Sequence, residues 1–217
     1  MRSDQSSRRD FLKTALAVGA VGAVVSGGPR ILAAEGFAPL WNGMTLDDWV
    51  VDTPSVWSVH DGTIIGKSPG LSYNEFLRTR KTYSDFIFKG SLRLIDGQGN
   101  SGFQFRSKAV PNSHEDYGYQ ADAGLRYWGS LYDESRRRKT LAWASDAFLD
   151  KLDPKAWHAY VVTARGPHIQ IETDGVKTVD YTETEPGIEQ TGHIALQVHA
   201  QQTPVEMQFK DLWIKVL

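Results

Sequence analysis

Three short segments each place a glutamine two residues before an ionisable side chain. They read FQFRS at 103–107, YQADA at 119–123 and LQVHA at 196–200. Side chains of a β-strand alternate between two faces, so each segment puts its glutamine and its ionisable group on one face and apolar residues on the other. The pattern predicts either three solvated surfaces or three walls of one binding site.

The residue types favour the binding site, because lysine and glutamate are the usual choices for a solvated strand. The candidates are Gln104, Arg106, Gln120, Asp122, Gln197 and His199. Glutamine amides suit hydrogen bonds to hydroxyl groups. His199 suits a general base or a metal ligand, or is a structural histidine. Asp122 could be a base, a metal ligand or the ion-pair partner of Arg106, which could instead bind sugar hydroxyls or a carboxylate.

The rest of the chain predicts β-strands that would carry these residues. Alternation is clear in DFIFKGSLRLI at 85–95, and turn residues predict hairpins at 60–62, 166–167 and 174–175. A last pair of strands is expected around a bend at 201–204, and no convincing amphipathic helix is present. About ten to fourteen short strands predict an all-β fold, a two-sheet β-sandwich of the jelly-roll type.

Residues 124–156 form the least regular segment and are polar, aromatic and basic at once. Long loops on β scaffolds usually have a function, so aromatic side chains here are expected to contact a ligand. Sugars present apolar C–H faces to aromatic rings. Some of Tyr127, Trp128, Tyr132 and Trp143 are therefore expected to line the site. Tyr132, Trp143 and Asn100 complete the predicted substrate-binding set.

The N-terminal segment SSRRDFLKTALAVGAVGAVVSGG at 6–28 resembles a twin-arginine export signal. A membrane anchor or a core helix is the alternative, but the apolar stretch of about fifteen residues is shorter than the roughly 20 that span a bilayer. Cleavage is expected near residue 34. Residues 1–34 would then be a signal peptide and 35–217 a single domain, periplasmic or secreted, without a membrane anchor.

Composition limits the classes of partner and the means of stabilisation. The chain has no cysteine, and residues 35–217 hold five more acidic than basic residues. A domain of about this size buries about 70% of its unfolded surface and needs no disulfide. A thiolate zinc site is excluded, and the mildly acidic surface argues against nucleic acid. A small molecule is the expected partner, and the oligomeric state is left open.

Several motifs in order resemble the 3-keto-disaccharide hydrolase domain family, formerly a domain of unknown function. They include FAPLWNGMTLDDWVV, WSVHDGTIIGK, GNSGFQFRS, YGYQAD and GHIALQVHA. The resemblance implies a bacterial exported protein with a concanavalin A-like sandwich. It also implies activity on glycosides whose glucose ring is oxidised at C3. The chain departs from the family at His158, Asp174 and Asp211, where asparagine is usual.

The implied reaction would not need the paired carboxylates of ordinary glycosidases. A C3 ketone acidifies the C2 proton, so elimination and hydration can cleave the glycosidic bond. His199 or Asp122 would be the base. Arg106, or a divalent metal with Asp122 and His199 as candidate ligands, would stabilise the enolate. Gln104, Gln120 and Gln197 would hold the sugar ring. The competing hypotheses are a non-catalytic, lectin-like carbohydrate-binding domain and a scaffold with no ligand.

Overall fold

The computed structural model describes residues 29–217, so residues 1–28 of the predicted signal peptide lie outside it. In chain order the elements are α1 (Pro29–Ala34), β1 (Ala38–Pro39), β2 (Trp49–Val51), β3 (Trp57–His60), β4 (Thr63–Ser68), β5 (Glu75–Thr79), β6 (Phe86–Leu94), β7 (Ser101–Ala109), β8 (Asp116–Ala123), β9 (Leu131–Glu134), β10 (Lys139–Ala142), α2 (Asp146–Leu149), β11 (His158–Arg165), β12 (His168–Thr173), β13 (Val176–Thr182), β14 (His193–Val198) and β15 (Val205–Val216). Neither of these two helices is long and apolar enough to cross a membrane.

The strands form two antiparallel sheets. Sheet A has the order β13-β12-β11-β6-β15-β4-β3, and β1 also pairs with β15. Sheet B has the order β10-β9-β8-β7-β14-β5-β2. Apolar side chains from one face of each sheet form a shared core. The predicted all-β, two-sheet sandwich is therefore confirmed.

Aromatic rings join the two sheets at the centre of the core. Phe103 of β7 meets Phe88 of β6 edge to face with centroids 5.0 Å apart, and meets Phe209 of β15 at 5.8 Å. All three rings are at most 1% exposed. Such rings bury a large apolar area and favour tilted contacts, so they fix the spacing of the sheets. The sheet B strands behind Phe103 are those that carry the candidate site.

Two predictions from the sequence are wrong. The last two strands do not pair with each other: β14 lies between β5 and β7 in sheet B, whereas β15 lies between β4 and β6 in sheet A. Residues 199–204 therefore cross between sheets. Alternation alone could not reveal this, because it is the same whether the next strand pairs or crosses.

The segment 124–156 is also more regular than expected. It contains β9, β10 and α2, and β9 extends sheet B beside β8. The strands β9 and β10 have four residues each. Four residues are too few to show a clear alternation of polar and apolar side chains. Strand β9 therefore adds side chains to the face of sheet B that carries the candidate residues.

Candidate functional site

The outer face of sheet B, which points away from the core, carries a buried polar cluster. Gln104 on β7 stands opposite Gln120 on β8, and Gly102 stands opposite Asp122. The side chain of Gln197 on β14 reaches Gln120. None of Gln104, Gln120, Asp122 and Gln197 is more than 3% exposed. The structure therefore brings together polar residues of all three segments.

Gly102 makes the central contact of this cluster possible. The Gln120 side chain passes over β7 and its Nε2 donates to Gln197 Oε1 at 3.0 Å. A Cβ atom at position 102 would lie 2.7 Å from Gln120 Cγ, closer than two carbon atoms can approach. Only glycine leaves room for the two glutamines to meet.

Asp122 is the buried acid of the cluster. Its Oδ1 accepts hydrogen bonds from Asn100 Nδ2 at 3.0 Å and from the Ala123 N–H at 2.9 Å, with Gln120 Nε2 at 3.5 Å. Burial raises the pKa of Asp122 to about 8, and the charge of Glu134 adds to the effect. The raised pKa favours the protonated form of Asp122, which can act as a hydrogen-bond donor.

Glu134 on β9 is a second carboxyl group at this face, which the sequence had not predicted to belong to it. Its Oε2 accepts from Gln197 Nε2 at 3.2 Å. Burial raises the pKa of Glu134 and so does the charge of Glu115, whereas His199 lowers it. The sequence holds one signal for Glu134, because Tyr132 and Glu134 are two apart like the polar pairs of the other three segments. The irregular composition of residues 124–156 hides it.

His199 follows β14 and is half-buried. Its Nδ1 lies 2.7 Å from the carbonyl oxygen of Ala200. A carbonyl oxygen only accepts hydrogen bonds, so Nδ1 must carry the proton, and Nε2 is the basic nitrogen of the neutral ring. The effect of His199 on the pKa of Glu134 indicates that the two groups interact electrostatically.

Aromatic side chains stand beside the carboxyl groups. Tyr127 stacks on Trp143 with centroids 5.3 Å apart and meets Tyr132 edge to face at 6.3 Å. The pKa of Tyr132 is raised, first by burial and then by the charges of Glu134 and Asp122. Trp143 is 47% exposed and could contact a ligand. The fourth aromatic candidate in this segment does not belong here, because Trp128 is buried in the core.

Arg106 is not part of this cluster, contrary to the sequence prediction. It has a φ of 48°, and the pairing of β7 with β8 shifts register after Phe105, which marks a β-bulge. The bulge ends the regular alternation and sends the side chain elsewhere. Its guanidinium donates to Ser84 O (2.9 Å), Gly166 O (2.8 Å) and Asp85 Oδ1 (3.1 Å). Arg106 thus joins β7 to loops of sheet A, and its predicted roles as Asp122 partner and enolate stabiliser are corrected.

Gln104 lies on the polar face but is tied to the protein itself. Its Nε2 donates to the backbone carbonyl of Asp116 at 3.2 Å, and its buried Oε1 has no hydrogen-bond partner in the part of the chain that the structure describes. Asp116 is in turn held by Arg78 at 2.8 Å and by Ser107 at 3.1 Å. These contacts separate Gln104 from the pair formed by Gln120 and Gln197.

A metal site at this face stays a prediction. Within residues 29–217, no group of three or more histidine, cysteine, aspartate or glutamate side chains is arranged to hold a metal ion. The Oδ1 atom of Asp122 is surrounded by N–H donors, which a cation would have to displace. Asp122 and His199 therefore do not form a ready-made ligand set.

Two of the positions at which the chain departs from the family pattern, His158 and Asp174, contact each other. His158 Nδ1 lies 2.6 Å from Asp174 Oδ2, and His158 Nε2 lies 2.8 Å from the carbonyl oxygen of Asp153. Both partners accept hydrogen bonds and raise the pKa of His158 against the opposing effect of burial. The pair lines a surface cavity of about 430 Å³ beside α2, together with Val176 of β13.

Comparison with known families finds two matches along the chain. Residues 36–215 match the model of the 3-keto-alpha-glucoside-1,2-lyase-like domain. Residues 5–25 match the signal sequence of the twin-arginine translocation pathway. The chain thus carries a signal for export by this pathway. No curated protein sequence matches it significantly.

Solved structures of the same fold include enzymes and binding modules. A candidate glycosyl hydrolase from Parabacteroides distasonis ATCC 8503 is 20% identical, with a TM-score of 0.68 over 87% of this chain and 97% of that one. Carbohydrate binding module CBM66 from Bacillus subtilis is 17% identical, with a TM-score of 0.54 over 83% and 95%. A Bacillus subtilis protein with a galectin-like fold is 11% identical, with a TM-score of 0.62 over 82% and 94%. At these identities the likeness shows the fold alone, a sandwich of the galectin and concanavalin A type.

Proposed function

The chain belongs to the 3-keto-alpha-glucoside-1,2-lyase-like domain family, and from this premise we propose that it is an exported enzyme that cleaves 3-keto-glycosides. The family and the fold make it a carbohydrate-active, glycosyl hydrolase-like or carbohydrate-binding domain. One observation supports catalysis above all. Two carboxyl groups with raised pKa values, the buried Asp122 and the half-buried Glu134, lie on one face of sheet B, and His199 interacts electrostatically with Glu134.

The proposed reaction is an elimination across C1 and C2 of the oxidised ring. A base takes the C2 proton, which the C3 ketone has made acidic, and negative charge develops on the ketone oxygen. The C1–O1 bond then breaks, the departing oxygen takes a proton, and a C1–C2 double bond conjugated to the ketone remains. Addition of water to this enone completes an overall hydrolysis. The reaction therefore needs a base, a donor to the ketone oxygen and a proton for the leaving group.

Three side chains fit these tasks. His199 Nε2 is the proposed base, and the proton it takes is available to the departing oxygen. Protonated Asp122 is the proposed donor to the ketone oxygen, because a neutral carboxylic acid can stabilise developing oxyanion charge. The Glu134 carboxylate stabilises the imidazolium that His199 forms. This interpretation keeps His199 as the base and gives Asp122 the enolate-stabilising role that the sequence predicted for Arg106. It adds Glu134 as the partner of the imidazolium.

The sugar ring would be held by the remaining groups of the face. Gln120 Oε1 is buried and has no hydrogen-bond partner among the described residues, so a bound hydroxyl would satisfy an otherwise costly orphan acceptor. Gln197 and Asn100 offer further amide groups. Tyr132 and Trp143 would contact the apolar faces of the sugar. The proposed partner is a small oxidised glycoside rather than a nucleic acid.

The test is to incubate the exported form of the protein with 3-keto-trehalose and, separately, with trehalose in D₂O. We expect the enone to be released from the keto sugar alone, seen as ultraviolet absorbance, with deuterium at C2 of any substrate that returns. Cleavage of trehalose at a comparable rate would overturn the proposal. A parallel series with a chelator decides whether a divalent metal takes part.

A lectin-like domain without catalysis is the second candidate, favoured by the likeness in fold to a carbohydrate binding module. It predicts that unoxidised glycans bind and that no glycosidic bond is cleaved. Calorimetric titration with trehalose and other neutral disaccharides would detect this binding. Binding of the unoxidised sugar together with no turnover of the keto sugar would favour the lectin.

A further inference from the structure

A side chain outside the proposed catalytic set controls the surroundings of His199. The Ala200 carbonyl accepts from His199 Nδ1, and the N–H of Ala200 donates to Asn74 Oδ1 at 2.8 Å. Asn74 directly precedes β5, whose first residue, Glu75, stands opposite Val198. Asn74 is only 8% exposed. It therefore holds the chain that carries His199 just beyond the last paired residues of β14 and β5.

The orientation of the Asn74 amide is fixed from its other side. Its Nδ2 lies 3.1 and 3.0 Å from the two carboxylate oxygens of Glu115, in the hairpin tip between β7 and β8. A carboxylate only accepts hydrogen bonds, so Nδ2 must face Glu115 and Oδ1 must face Ala200. Ser135 Oγ donates to Glu115 Oε2 at 2.8 Å. An amide turned the other way would set Oδ1 against a carboxylate and Nδ2 against an N–H.

The same network ends at the second proposed catalytic group. The backbone N–H of Ser135 donates to Glu134 Oε1 at 3.2 Å. One series of hydrogen bonds thus runs from His199 through Ala200, Asn74, Glu115 and Ser135 to Glu134. It connects the loop after β14 to the end of β9 across the hairpin tip. The groups at its two ends are the proposed base, His199, and the carboxylate proposed to stabilise its imidazolium, Glu134.

We propose that Asn74 is a positioning residue that fixes the Nδ1–H tautomer of His199 and so presents Nε2 to the substrate. Removal of Asn74 would release the Ala200 N–H, so the backbone at Ala200 could rotate and its carbonyl would no longer hold the proton on Nδ1. The catalytic part of this inference rests on the proposed function, whereas the tautomer itself does not. Bringing the correct nitrogen to the reacting atom is a known condition for catalysis by histidine.

The experiment measures the tautomer directly by ¹⁵N NMR of the labelled exported protein, in which the His199 signals are assigned by their loss in His199→Gln. We expect the Nδ1–H tautomer in the wild type and a mixture of tautomers in Asn74→Ala. The kcat for 3-keto-trehalose should fall about tenfold or more, with KM within about threefold of its original value. As a matched control, Gln170→Ala on β12 loses a 3.0 Å bond to Asp180 and should change neither quantity.

Glu115→Ala provides a second variant in case Asn74→Ala does not fold, because Glu115 lies in a hairpin tip and is only half-buried. It frees the Asn74 amide to turn, and a smaller shift in the same direction is expected. An Nε2–H tautomer in the wild type, or a tautomer unchanged in both variants, would overturn the inference. A shifted tautomer in a protein without activity on keto sugars would instead keep the positioning role and remove the proposed function.

Discussion

The outer faces of the two sheets are built from similar alternating sequences but meet different surroundings. In β6 of sheet A, buried residues alternate with partly exposed ones over its whole length. In β7 of sheet B, every residue from 101 to 107 is buried, on both faces of the strand. Burial of polar groups is costly unless they are hydrogen-bonded. The polar face of sheet B is retained despite that cost, which points to a binding role.

Two glutamates show the contrast at the level of single groups. Glu206 on β15 pairs with Lys67 at 2.8 Å, and this hydrogen bond is the main reason why its pKa is lowered. Glu134 forms no salt bridge with any described lysine or arginine, and burial raises its pKa. The same side chain is thus an ion-pair partner with a lowered pKa on sheet A and an acid with a raised pKa on sheet B. The following predictions test this difference, from the largest effect to the smallest.

The largest difference is expected between the two glutamates. Glu134→Gln removes the charge proposed to stabilise the His199 imidazolium, and kcat for a 3-keto-glycoside should fall by about 10²-fold or more. Glu206→Gln makes the same chemical change on sheet A and should leave kcat unaltered. Steady-state kinetics of both variants provide the measurement. Equal activities of the two variants would mean that Glu134 has no part in the reaction.

Replacement of Arg106 should mainly affect stability. Arg106→Met removes the Arg106 donor from the Ser84 and Gly166 carbonyls and leaves the Asp85 carboxylate with the Gly166 N–H as its only described donor, and it should lower the free energy of unfolding by about 3 kcal/mol. Arg93→Met removes an arginine from the outer face of sheet A, where it packs over Trp157 at 4.7 Å, and should cost about 0.5 kcal/mol. Urea unfolding of both variants measures the two losses of stability. Losses of the same size would contradict the structural role given to Arg106.

Asp122→Asn should change how stability depends on pH. The pKa of Asp122 is raised from 3.8 to about 8 by burial, so its contribution to stability is complete below pH 3.8 and is lost as pH rises through about 8. Asparagine does not titrate. As pH rises from 3.8 to about 8, the variant should therefore become more stable relative to the wild type by roughly 1 kcal/mol for each pH unit. Parallel profiles from urea unfolding at several pH values would show that Asp122 is ionised in the folded protein.

The smallest effect is expected at Gln104. Gln104→Met removes Oε1, which has no hydrogen-bond partner among residues 29–217, but it also removes the 3.2 Å bond to the Asp116 carbonyl. The two effects oppose each other, so the free energy of unfolding should change by less than about 1 kcal/mol. Turnover should also be preserved. Gln197→Met is the matched change within the cluster, and it should lower kcat/KM because Gln197 contacts both Gln120 and Glu134. Urea unfolding and steady-state kinetics of both variants would show whether Gln197, but not Gln104, contributes to turnover. A loss of turnover in Gln104→Met would return Gln104 to the site.

Much of the fold and part of the site were predictable from local pattern. The alternation of β6 and the turns at 60–62, 166–167 and 174–175 appear where they were expected. Gln120, Asp122 and Gln197 share a face as predicted, because regular strands keep the period of two. Arg106 was misplaced because a single bulge residue breaks that period. Glu134 was missed because β9 is too short for its period to stand out.

The sequence by itself determined the class of fold, the export signal and the spacing of polar residues along each strand, since these depend on neighbours in the chain. The tertiary structure decided which polar face is buried, because burial depends on what other segments cover it. It also decided that Asn74, Glu115 and Ser135, residues from three distant segments, join His199 to Glu134. Hydrogen bonds of this kind depend on distances in space, which local alternation does not encode.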